Sequence, residues 1–76
     1  MFLNNDADIL KLIKAVKNCK EDVYLLTEEG DNLNLKSTLC QYAVVAMVAK
    51  PEILVRAQIK CSNDVDKEML SEFIHD

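Results

Sequence analysis

Between Asn5 and about Lys20 the apolar residues Ile9, Leu12, Ile13, Val16 and Cys19 recur at intervals of three and four, the period of a helix with one buried stripe. Asn5 or Asp6 is placed to cap its start, with Asp8 in the first turn and Lys17 and Lys20 in the last, all in the sense the helix dipole favours. Asp22–Thr27 is short, β-branched and aromatic, and Leu33-Asn34-Leu35 alternates with period two. Glu28-Glu29-Gly30-Asp31 between them supplies the only glycine, so the segment predicts a β-hairpin turning through a positive φ at Gly30. Ser37 and Thr38 open a second predicted helix, with Thr38 and Gln41 spaced as a capping box, running to Ala49 before Pro51 stops it.

The run from Ile53 to Cys61 alternates, Val55, Ala57, Ile59 and Cys61 on one side and Arg56, Gln58 and Lys60 on the other, which predicts a nine-residue strand with one dry face. Ser62-Asn63-Asp64 turns the chain into a last helix through Val65, Met69, Leu70, Phe73 and Ile74, ending at His75. With Met1-Phe2-Leu3 as a short first strand the order is (short β)-α-β-β-α-β-α. Strands with one apolar face and helices with one apolar stripe make two layers, so the expected fold is an α+β open-faced two-layer sandwich over an antiparallel sheet. Its weak point is the edge: a nine-residue strand beside a three-residue one leaves backbone groups unpaired.

Seventy-six residues make one small domain, residues 1–76, near the lower limit of autonomous stability, where a partner often completes the core. No apolar run reaches the roughly 18 residues of a membrane span, and the first residues lack an export signal, so the expected compartment is the cytoplasm, with no membrane partner. A net charge of −4 opposes polyphosphate, so no nucleic-acid partner is expected. Cys19, Cys40 and Cys61 lie in apolar-periodic segments without a second ligand at metal spacing and read as buried free thiols; no metal and no cofactor is expected. His75, beyond the last apolar position, has no orienting neighbour and no nucleophile nearby in sequence. With no phosphate loop or paired acids either, no enzyme activity is expected.

Two features stand out. Lys11, Lys14, Lys17 and Lys20 wind round the first helix every three residues, a solvated face that would also dock an acidic ligand. The second helix is apolar nearly all round, through Leu39, Tyr42, Ala43, Val44, Val45, Ala46, Met47, Val48 and Ala49, more than two layers of this size can bury. An exposed apolar patch is therefore expected, as an interaction surface or as one closed by self-association. Ser37, beside Lys36, starts that helix where negative charge is favoured, which makes it a phosphorylation candidate as well as an ordinary cap.

Asp22–Thr27, the Gly30 turn, Asn34-Leu35-Lys36-Ser37 opening a helix, and Ile59-Lys60-Cys61-Ser62-Asn63 leading into an acidic helix together resemble HPr, the histidine phosphocarrier of the bacterial sugar phosphotransferase system, over roughly residues 9–74. That family carries phosphate on the histidine of a Gly-x-His-Ala-Arg-Pro loop at the start of the first helix. Here Asn5 stands at the histidine position, Ala7 at the arginine and Asp8 at the proline, so the active-site position is degenerate and phosphocarrier activity is not implied. The resemblance carries over Ser37, at the position of the serine phosphorylated in regulatory members, and the partner-docking side of the first two helices: Thr38, Leu39 and Tyr42, flanked by Lys11 and Lys14. It implies a non-catalytic binder of phosphotransferase-system or regulatory proteins. The alternative is a self-associating structural module, a homodimer through the second helix or the exposed sheet edge.

Overall fold

The computed structural model describes residues 1–54 and 56–75. The elements are β1 (Phe2–Leu3), α1 (Ile9–Lys17), β2 (Val23–Leu26), β3 (Asn32–Asn34), α2 (Thr38–Met47), α3 (Pro51–Leu54), β4 (Gln58–Cys61), α4 (Asp64–Met69), a 3-10 turn (Ser71–Phe73) and β5 (Ile74–His75). The fold is α+β: five strands in the order β3-β2-β4-β1-β5, every neighbouring pair antiparallel. One sheet face presents Val23, Leu25, Ile59 and Cys61 to Leu12, Val16, Val44 and Leu70 of the helical layer and its connections, and these form one buried cluster. Gln58 and Lys60 point the other way and are exposed, the alternation a half-buried strand requires.

The hairpin forms as the sequence predicts. Gly30 adopts φ +95°, a conformation a side chain would strain, and the turn is closed by the Thr27 N–H donating to Asp31 O at 3.1 Å and by the Asp31 N–H donating to the Thr27 hydroxyl oxygen at 3.2 Å. On the β4 strand, Ala57, Ile59 and Cys61 are buried as expected; Val55 lies outside the described residues.

Four boundaries differ from the sequence reading. Neither Asn5 nor Asp6 caps α1; Asp8 does, its carboxylate accepting from the N–H groups of Leu10 and Lys11 at 3.1 and 3.2 Å. The proposed capping box on α2 does not form: Ser37 is the N-cap without a side-chain cap bond, and the Gln41 amide donates to Leu35 O at 2.9 Å instead. The expected nine-residue strand is a four-residue one, because Pro51 opens helix α3 rather than merely ending α2; its fixed φ suits a first helical position. The last helix stops at Met69, and Ile74–His75 turn back as β5 to pair with β1, where Phe2 faces His75 and Leu3 faces Ile74. A six-residue helix has little to hold it together alone, whereas the outer edge of β1 offers ladder bonds.

These changes shorten the exposed edge. β4 is paired along its whole length by β2, and on its other side Phe2 faces Gln58 while the Leu3 N–H donates to Ala57 O at 2.9 Å and the Ile59 N–H to Met1 O at 2.8 Å. In place of a nine-residue edge there is the four-residue β4, with Ala57 to Ile59 met by β1.

Candidate functional site

The helix α2 has more apolar positions than the fold has places to bury them. Val44 alone among its residues is fully buried, with Cys40, Ala43 and Met47 half-buried on the same side. Leu39, Tyr42, Val45, Ala46 and Ala49, at three-and-four spacing on the opposite side, are exposed, Leu39 by 80% and Tyr42 by 70%. The predicted apolar surface is therefore present, and the helix offers no charged side chain from Thr38 to Ala49. Cys40 is not buried as expected, since it sits at the flank of this helix; Cys19 and Cys61 are buried, and burial pushes both thiols up.

The start of α2 is built by the segment before it. The Asn34 carboxamide accepts from the Lys36 N–H at 3.0 Å, turning the chain, and the Lys36 ammonium donates to Cys19 O at 2.7 Å, tying the start of α2 to the end of α1. Ser37 sits half-buried at this corner with its hydroxyl uncommitted to a cap, and Thr38 beside it is exposed.

At its other end α2 adjoins the turn ahead of α1: Val48, with Leu3, Asn5, Ala7, Ile9 and Leu54, lines a cavity of about 120 Å³. The two helices thus run antiparallel and in contact. Lys11, Lys14, Lys17 and Lys20 are all exposed, and among the described residues none of them lies in an ion pair. Of the site residues predicted from sequence, the fold brings Thr38, Leu39 and Tyr42 to one surface and sets Lys11 and Lys14 on the adjacent helix. Asn5 is exposed in a turn three residues before the α1 cap, on the wall of the small cavity, rather than at the helix start where the resemblance put it.

His75 is not the isolated residue its place in the sequence suggested. Its Nδ1 lies 2.6 Å from Asn4 Oδ1, its ring stacks on Phe2 with centroids 6.0 Å apart, and the same Asn4 side chain donates to Glu72 O at 3.1 Å. Strand pairing brings these groups together from opposite ends of the chain, which sequence proximity could not reveal.

Sequence reasoning also missed Asp66. It is fully buried, and its carboxylate accepts from the N–H groups of Lys20 and Glu21 at 2.9 and 3.1 Å, clamping α4 to the loop after α1. The Lys20 N–H, more than any other influence, holds its pKa below the ordinary carboxylate range, with Glu21 N–H and the Lys36 charge assisting against the opposing effect of burial. This is a structural carboxylate with both oxygens engaged.

No protein-family model matches the chain, nor does any curated protein or solved structure.

Proposed function

We propose that this chain is a non-catalytic, cytoplasmic HPr-like protein that acts by contact with phosphotransferase-system or regulatory proteins, and that Ser37 is its regulatory phosphorylation site. The observation that carries the reading is the outward apolar face of α2, Leu39, Tyr42, Val45 and Ala46, beginning next to a serine whose hydroxyl makes no cap bond. Exposed lysines on α1 give that face a cationic border suited to an acidic partner surface. An amide at Asn5 has no basic nitrogen to accept a phosphoryl group, and Asp6 and Asp8 beside it repel one, which supports a contact role over a carrier role. Phosphate on Ser37 would meet the positive end of α2 and the Lys36 charge.

The test has two parts. Incubation with phosphoenolpyruvate and the first enzyme of the phosphotransferase system should leave the protein unlabelled, and acid-labile phosphohistidine would refute the reading. Capture of phosphotransferase-system proteins by the folded wild-type chain should be lost in Leu39→Glu, and a chain that captures none of them loses the family assignment.

A further inference from the structure

Four elements meet around the small cavity beside the turn ahead of α1, and each is held in place by its own backbone bonds. Leu3 comes from β1 and its N–H donates to Ala57 O at 2.9 Å; Ile9 opens α1 directly after the Asp8 cap. Val48 caps the end of α2, its N–H donating to Val45 O at 3.1 Å, and Leu54 ends α3, its carbonyl accepting from the Ala57 N–H at 3.1 Å. Ala7 completes the wall with a side chain of one methyl group, and a cavity of about 120 Å³ remains between them. Its walls are thus fixed before anything enters, as those of ligand sites commonly are.

The lining selects a chemistry. Leu3 and Ile9 are buried, Ala7 and Leu54 half-buried, and no charged side chain lines the cavity, so an ion entering it loses water without gaining a counter-charge. Water is poorly held there too, because an ordered water needs about two to four polar partners. The Asn4 carboxamide is already engaged, with His75 Nδ1 at 2.6 Å and Glu72 O at 3.1 Å. Asn5, on the solvent side of the same wall, makes no side-chain hydrogen bond among the described residues and keeps both a donor and an acceptor. Size narrows the choice further: an engineered apolar cavity of about 150 Å³ holds benzene, so about 120 Å³ suits a branched aliphatic group or a single ring.

We propose that this cavity binds a small uncharged molecule, a branched aliphatic or single-ring body bearing one hydroxyl or amide group, with the body against Leu3, Ile9 and Leu54 and the polar group at Asn5. The proposal is independent of the contact reading, since Ser37, Leu39 and Tyr42 do not line the cavity.

Titration of the full wild-type chain with isobutyramide and with phenol, followed through backbone amide NMR shifts, tests the site. Both probes should give saturable shifts centred on Leu3, Asn5, Ala7, Ile9 and Leu54. Isobutyrate, nearly the same shape as isobutyramide but charged, should bind about tenfold more weakly or worse. Ala7→Leu and Val48→Phe add volume at two sides of the cavity, and either variant that keeps the wild-type circular dichroism should show no saturable binding. Asn5→Ala, at an exposed position, should weaken phenol binding about fivefold and leave benzene, which has no polar group, unaffected. Absence of saturable shifts with both probes, unaltered binding in a folded cavity-filling variant, isobutyrate binding as tightly as isobutyramide, or an Asn5→Ala chain that binds phenol like the wild type overturns the proposal. Leu39→Glu should leave probe binding unchanged, so this site and the contact reading fail separately.

Discussion

Helices α1 and α2 lie side by side, similar in length, and use their apolar residues in opposite ways. In α1, Ile9, Leu12, Ile13 and Val16 are all buried, and the outer surface carries lysines and one exposed leucine, Leu10; in α2, Val44 alone is fully buried while Leu39 and Tyr42 stand in solvent. Their starts differ too: Asp8 accepts two backbone N–H groups, and the Ser37 hydroxyl accepts none. The first helix buries most of its hydrophobic side chains in the core, whereas most of the second's stay in solvent. Core and exposed apolar surface thus fall on neighbouring segments of one layer.

Substitutions should break that contrast in a graded way. Leu12→Ala, in the fully enclosed part of α1, should cost about 2–5 kcal/mol in chemical denaturation, a large share of the stability of a domain of this size. Asp66→Asn should lower the melting temperature at neutral pH and flatten the acid limb. Because the folded-state pKa is depressed, the wild-type carboxylate's contribution is fully present above the unfolded value near about pH 4 and is lost as pH falls through the folded pKa, a dependence the amide lacks. Replacing the α1 cap, Asp8→Ala, should cost about 1 kcal/mol, against no more than a few tenths for Ser37→Ala at the start of α2. Leu39→Gln should change stability by less than about 0.5 kcal/mol while weakening any association through α2.

Where the sequence was readable, one physical rule acted alone. The stripe of α1, the excess of α2, the Gly30 turn and the alternation from Ala57 to Cys61 follow from period and backbone preference. Where two rules competed, the sequence misled. Pro51 both ends a helix running into it and suits a helix beginning with it; both hold, α2 stopping at Met47 and α3 starting at Pro51, and the pattern showed only the first. At the last helix the buried series is Asp66, Leu70 and Phe73, while Val65 and Met69 are exposed; a charged residue in the true stripe concealed it, because the two N–H groups that make its burial tolerable come from Lys20 and Glu21, far away in the sequence. The Asn4–His75 contact was hidden for the same reason. The exposed apolar face was readable because it is local to α2.

The pairing of Phe2 with both Gln58 and His75 also has a kinetic consequence. The β2–β3 hairpin and the helices close short loops and can form early, but β1 must remain unpaired until β4 and β5 are present to meet it. On a ribosome, the sheet's far side would assemble only once residues 58–75 have emerged, leaving Leu3 uncovered in the meantime.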